Sequence, residues 1–256
     1  MAVGYKVVLE RRGQTYCPTH SNSLSNKMGN SLLAVRGINH KYIVVGKENT
    51  MHNIIKKHPV IAILRNTPPE DLGNYVQALY DGGLRAFEVS FSAEGAAGQL
   101  AWIKEHLPED ACVGAGTILT EDDASRAVQA GADFMLSPSS DPPVMEYCRS
   151  RQIPLLPGVF SPTDVSRCLS YGYRTLKLFP ASDLPLHYIK SLKGPFPQAE
   201  FVAVGGISPE NTAEYLNAGY VGVGIGSSLT DKTLFARKDW GQITEDICRF
   251  LGGKIC

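Results

Sequence analysis

Two charged side chains stand out in this 256-residue chain because each lies alone inside an apolar run. Lys177 sits in TLKLFP (175–180) and Glu88 in RAFEVS (85–90). Lysine is almost never fully buried without a partner, so this placement calls for an explanation. The ordinary one is an ion pair, or a strand edge from which the amine reaches water. The chemical one is that burial lowers the pKa and leaves a neutral amine able to attack a ketone. Glu88 has the same two readings. It is a charge partner for Lys177 or Arg65, or a buried carboxyl with a raised pKa that works as general acid and base. The two are compatible, since a glutamate beside a Schiff-base lysine can balance charge and also shuttle protons.

Other candidates fall in short glycine-rich segments. Gly205-Gly206-Ile207-Ser208-Pro209-Glu210 and Gly224-Ile225-Gly226-Ser227-Ser228 both follow apolar runs. Glycine lets backbone N–H groups approach an anion closely, and the Ser227 hydroxyl can add a donor. One such loop is weak evidence; two in succession point to a phosphate-bearing ligand. Thr117, after Gly114-Ala115-Gly116, can hydrogen-bond a substrate oxygen, and Arg65 can hold a carboxylate bidentately or simply lie on the surface. His106 and His187 fall in predicted helices and read as packing or surface residues.

These residues become a site only if the chain brings them to one end of one scaffold. Apolar runs recur from Pro59 onward: VIAILR (60–65), RAFEVS, ACVGAG (111–116), DFMLS (133–137), IPLLPG (153–158), TLKLFP, FVAVGG (201–206) and VGVGIG (221–226). Each has the composition of a strand buried on both faces. Between them lie helical patterns that open on caps or prolines, as in NTPPEDL, TEDDASRA, SPTDVSR and SPENTAEYL. Several close on glycine, in DGG, AGA, YGY and AGY. Eight β-α units in about 200 residues predict a single (β/α)8 TIM barrel. An open doubly wound sheet would carry a glycine-rich turn after its first strand; here Arg65 stands there instead. In a barrel, Arg65, Glu88, Thr117, Lys177 and both glycine loops fall at or near the C-terminal strand ends, and the loops after the last two strands are the usual phosphate site.

The totals bound the alternatives. Lys and Arg together equal Asp and Glu, at 25 each, so no global field favours nucleic acid or acidic lipid. No run approaches the length of a membrane span, and the N-terminus has no secretory pattern. The six cysteines show no C-x-x-C spacing, which sets zinc aside and fits a reducing cytoplasm. Residues 1–50 read differently from the rest. They hold seven basic and two acidic side chains, against 18 and 23 in 51–256, so the two segments carry +5 and −5. They contain β-like pieces, KVVLE and YIVVG, and a Ser- and Asn-rich stretch over 19–31. Met51 opens MHNIIKKHPVIAILR, which looks like a natural beginning. Residues 1–50 are therefore expected to be a peripheral N-terminal extension, and 51–256 the barrel.

Over about residues 58–230 the chain resembles the 2-keto-3-deoxy-6-phosphogluconate and 2-keto-3-deoxy-6-phosphogalactonate aldolases. The resemblance rests on AILR (62–65), FEVS (87–90), GAGT (114–117), LLPG (155–158), LKLFPAS (176–182), VGGISPEN (204–211) and GIGSSL (224–229), in that order. It implies a class I aldolase with Lys177 as Schiff-base lysine and Glu88 as general acid/base. It places Thr117 and Pro138 at the pyruvate pocket and Gly205, Gly206, Gly226 and Ser227 at the phosphate. It further implies a small phosphorylated keto-acid substrate, a homotrimer, and no metal or other cofactor. Ser92 stands where the gluconate-type enzymes carry an arginine, and Val204 where they carry a threonine. Arg65 and Val204 look like the galactonate-type branch, with carboxylate binding moved to Arg65, whereas Ser92 fits neither branch. Three alternatives stay open: an aldolase for unphosphorylated 4-hydroxy-2-oxoglutarate, a phosphate-binding barrel isomerase or transferase without a Schiff base, and an idle scaffold.

Overall fold

Each of the eight apolar runs forms a strand in the computed structural model, which describes residues 9–11, 14–16 and 50–252. They are β1 (Val60–Leu64), β2 (Ala86–Ser90), β3 (Cys112–Gly116), β4 (Met135–Leu136), β5 (Leu155–Leu156), β6 (Gly158–Val159), β7 (Thr175–Leu178), β8 (Glu200–Val204) and β9 (Gly222–Ile225). Nine strands arise from eight runs because Pro157, which has no N–H to donate, divides IPLLPG into β5 and β6. All pair in parallel, in the order β5-β4-β3-β2-β1-β9-β8-β7-β6. The two ends of that order are consecutive pieces of one strand, so the sheet rolls into a nearly closed (β/α)8 barrel.

Helices return the chain from each strand to the next: α1 (Met51–Lys57) before β1, then α2 (Pro69–Asp81), α3 (Ala96–His106), α4 (Glu121–Gln129), α5 (Pro142–Ser150), α6 (Pro162–Ser170), α7 (Tyr188–Lys193) and α8 (Thr212–Ala218). After β9 come α9 (Lys232–Ala236) and α10 (Trp240–Phe250). The start signals work as read at α4 and α6. Thr120 with Asp123, and Ser161 with Asp164, form reciprocal capping boxes. At α2 the cap position is Pro68, and Asn66 and Thr67 belong to the preceding loop. The closing glycines Gly83, Gly131, Gly172 and Gly219 all take left-handed backbone angles.

Strand alternation sorts the side chains into two cores. Ala62, Leu64, Phe87, Val89, Leu176, Leu178, Phe201 and Ala203 point outward and pack with the helices. Ile61, Ala86, Phe134, Leu136, Leu156, Val202 and Val204 form an inner cluster with Met51, Ile54 and Ile55 of α1. That helix plugs one end of the barrel. By the same period of two, Glu88 and Lys177 lie on the inward face. Two inward positions of β3 are glycines for steric reasons: a Cβ on Gly114 would overlap the Phe134 ring, and one on Gly116 the Glu88 carboxylate.

The chain falls into two compact units, Met1–Val44 and Val45–Cys256. In the first, Leu9–Arg11 and Gln14–Tyr16 pair antiparallel, with Glu10 opposite Thr15. The first of these strands overlaps the KVVLE run; YIVVG and the stretch 19–31 lie outside the described residues. Cys112, Cys148 and Cys168 are free thiols pushed up to about 12 by burial, and Cys248 is disulfide-bonded. No described helix is long and apolar enough to cross a membrane.

Candidate active site

Glu88 and Lys177 are buried, at 1% and 5% exposure, on the inner face of the barrel. Their positions follow from register. Glu88 pairs with Gly114 on one side and Ile63 on the other, and Lys177 with Gly158 and Val202. These register neighbours, being glycine or apolar, offer neither charge a side-chain hydrogen bond. Glu88 Oε2 is buried with no hydrogen-bond partner among the described residues. Burial raises the Glu88 carboxyl above its ordinary pKa, opposed by the positive charges of Lys177 and Arg65. Burial lowers the Lys177 amine, Glu88 acts against that shift, and Arg65 adds to it. Desolvation dominates in both, so each is driven toward its neutral form. The Lys177 amine also lies 4.8 Å from the centroid of the Phe179 ring.

Phe179 connects this pair to a cavity of about 660 Å³ at the C-terminal strand ends. Arg65, Gly205, Gly206, Gly226 and Ser227 all line it. The two glycine loops are tied together, Ser228 donating its hydroxyl hydrogen bond to the Ile207 carbonyl. Asn211 closes the first loop, accepting from the Ser208 N–H and donating to the Gly206 carbonyl. Gly205 and Gly206 both have positive φ, and a side chain on Gly206 would overlap Ser182. Backbone conformation and space together restrict these positions to glycine.

Glu88, Lys177, Thr117 and Pro138 are all outside the cavity's lining, and the last two follow β3 and β4 rather than the strands that bound it. Thr117 shares a 2.9 Å hydrogen bond with the hydroxyl of Ser90, an inward neighbour of Glu88 on β2, and Ser90 shares another of 2.9 Å with Ser92. Ser92, which stood outside both branch patterns, thus belongs to a chain of three hydroxyls leading from the strand end. Thr117 has φ of 58°, a conformation that β-branched residues rarely adopt. Such strain persists where surrounding structure imposes it and collects at functional sites. Pro138 abuts Gly158, the register partner of Lys177, so closely that a Cβ there would overlap the Pro138 carbonyl. The two histidines behave as packing and surface groups: His106 stacks on Trp102 at 3.9 Å, and His187 is exposed at the N-terminal end of α7 with no side-chain capping bond.

The cavity also contains residues that strand-end reasoning did not select: Asn66, Thr230 and Lys232. Asn66 could have been suspected from its place after Arg65, and it takes a left-handed φ of 55°. Lys232 lies in a polar stretch with no such signal.

The barrel fold, the buried amine and carboxyl, and the cavity beside them define a (β/α)8 barrel enzyme. The family described as KDPG and KHG aldolase matches residues 51–246. A 2-dehydro-3-deoxy-phosphogluconate aldolase of Treponema pallidum is 34% identical over 76% of this chain and 93% of its own length. A probable 2-dehydro-3-deoxy-6-phosphogalactonate aldolase of Rhizobium meliloti is 34% identical over 68% of this chain and 82% of its own. Among solved structures, a KDPG aldolase from Legionella pneumophila, with pyruvate captured as a covalent carbinolamine intermediate, superposes with a TM-score of 0.71. It is 30% identical over 77% of this chain and 96% of that one. The chain belongs to the KDPG and KHG aldolase family, and it is a carbon–carbon lyase.

Proposed function

We propose that this enzyme cleaves a 2-keto-3-deoxy-6-phospho sugar acid, the galactonate epimer in preference to the gluconate one, to pyruvate and glyceraldehyde 3-phosphate. The observation that carries the proposal is a buried lysine–glutamate pair, both members driven toward neutrality, beside a cavity lined by two glycine loops. The neutral Lys177 amine adds to the C2 ketone, and loss of water gives an iminium. Glu88, protonated at the outset, gives its proton to the departing water, and the carboxylate so formed takes, through a second water, the proton of the C4 hydroxyl. The C3–C4 bond then breaks, its electron pair moves into the iminium to form an enamine, and the aldehyde leaves. Protonation of the enamine at C3 and hydrolysis release pyruvate and restore Lys177. Arg65 holds the substrate carboxylate, with Thr117 and Pro138 at the pyruvate end and Gly205, Gly206, Gly226 and Ser227 at the phosphate.

The galactonate preference rests on Arg65 and Val204, which both line the cavity. The capture of pyruvate as a covalent carbinolamine in the Legionella relative supports the amine chemistry. The family likeness also supports a homotrimer. Incubation with pyruvate and borohydride, followed by peptide mass spectrometry, tests the mechanism. A reduced pyruvyl adduct on Lys177 is expected. An unmodified Lys177 in folded protein overturns the Schiff-base reading and leaves a phosphate-binding isomerase or transferase as the account to pursue. Comparison of the two phosphorylated epimers with 4-hydroxy-2-oxoglutarate then tests the substrate.

A further inference from the structure

The cavity beside the buried pair has two cationic side chains in its lining, Arg65 and Lys232. Neither makes a hydrogen bond or ion pair with any described residue. They come from different parts of the fold, Arg65 from the end of β1 and Lys232 from the first position of α9. Between them the lining is neutral: the Gly205-Gly206 and Gly226-Ser227 loops, with Ser208, Ser228 and Thr230 contributing hydroxyls. A lining of this kind suits a ligand carrying two separate anionic groups. We infer that Lys232 is the phosphate's cationic partner and so a specificity-determining residue for the phosphorylated substrate. The inference rests on the aldolase reading, in which Arg65 is committed to the carboxylate.

The position of Lys232 is set by packing. Phe235 of α9 meets Tyr75 of α2 edge-on at 4.9 Å and Trp240 at 5.5 Å. Tyr75 also shares a 3.3 Å hydrogen bond with Thr230, and Lys238, just past α9, pairs with the buried Asp71 at 2.6 Å. The stretch carrying Lys232 is thus held to α2 from both sides, while its side chain keeps to the cavity wall. Asp231, the nearest acid in sequence, directs its carboxylate to the N–H groups of Thr233 and Leu234. A lysine in this position acts on a phosphate as a point charge. Because Lys232 is exposed, the effect is expected to be roughly tenfold, below that of a fully desolvated pair.

The test compares Lys232→Met and Lys232→Arg with the parent enzyme. With the phosphorylated substrate, Lys232→Met is expected to raise KM about tenfold while kcat changes far less, and Lys232→Arg to restore KM. An unchanged KM in Lys232→Met, or a fall in kcat that arginine does not rescue, overturns the assignment. A second readout does not depend on catalysis. Inorganic phosphate is expected to raise the melting temperature of the parent, with about tenfold more phosphate needed for the same rise in Lys232→Met. Equal protection of the two proteins also overturns it. Pyruvate trapping on Lys177 in the parent reports separately on the aldolase reading, so failure of that reading and failure of the Lys232 assignment are distinguishable.

Discussion

At the scale of single residues, the fold takes two charges out of water. Burial lowers Lys177 and raises Glu88, and Arg65 adds a positive charge that lowers both. The neutral amine is the form that attacks a ketone, so reductive trapping of pyruvate should rise with pH through a midpoint below the ordinary lysine value of 10.5. Arg65 disfavours a second positive charge nearby. Its removal makes the protonated amine easier to keep, so Arg65→Met should move that midpoint upward. Trapping rates across a pH series at saturating pyruvate measure this, and a midpoint that stays or falls contradicts the assigned electrostatics. Lys177 and Glu88 were legible in the sequence because a lone charge in an apolar run is conspicuous. The strain at Thr117 was not, since threonine carries no signal for a left-handed backbone. Lys232 was hidden for the opposite reason to Lys177: in SLTDKTLF a charge is ordinary, and only the folding of α9 onto α2 puts it in one cavity with the two glycine loops.

At the scale of elements, the strands were legible because a strand covered on both faces must be apolar at every position, whichever way the side chain points. The same fact concealed where one strand breaks. Leu155–Leu156 bonds toward β4 and Gly158–Val159 toward β7, and Pro157 lies between the two ladders. Closure of the barrel therefore passes through Gly158, whose neighbour is the backbone of Pro138 and cannot rotate aside as a side chain could. Gly158→Ala should cost about 1–3 kcal/mol through overpacking. In a domain of this size that lowers the melting temperature by roughly 2–4 °C per kcal/mol. Because Gly158 also pairs with Lys177, pyruvate trapping should slow in the same variant. Calorimetry and trapping together check this; full stability with full trapping would show that the strand shifts freely at the closure point.

At the scale of the whole molecule, the barrel is complete within a part of the chain. All nine parallel strands and helices α1 to α10 fall between Met51 and Phe250, and the family match runs from 51 to 246. The change in composition near residue 51 was legible; the work of the first helix after it was not, because HNIIKK looks like an ordinary amphipathic start. Met51, Ile54 and Ile55 in fact join the inner core with Ile61, Phe134 and Val202 and seal the end of the barrel away from the C-terminal strand ends. Two truncations separate these contributions. A chain beginning at Thr50 keeps the plug, and it should trap pyruvate and melt within a few degrees of the full chain. A chain beginning at His58 loses three buried side chains, each worth about 1.5–3 kcal/mol. Against a typical total of about 5–15 kcal/mol, that loss should leave it largely unfolded. Circular dichroism melts of the two decide the matter: an unfolded chain from Thr50 would make residues 1–49 part of the barrel's stability, and a stable chain from His58 would deny α1 its role as plug.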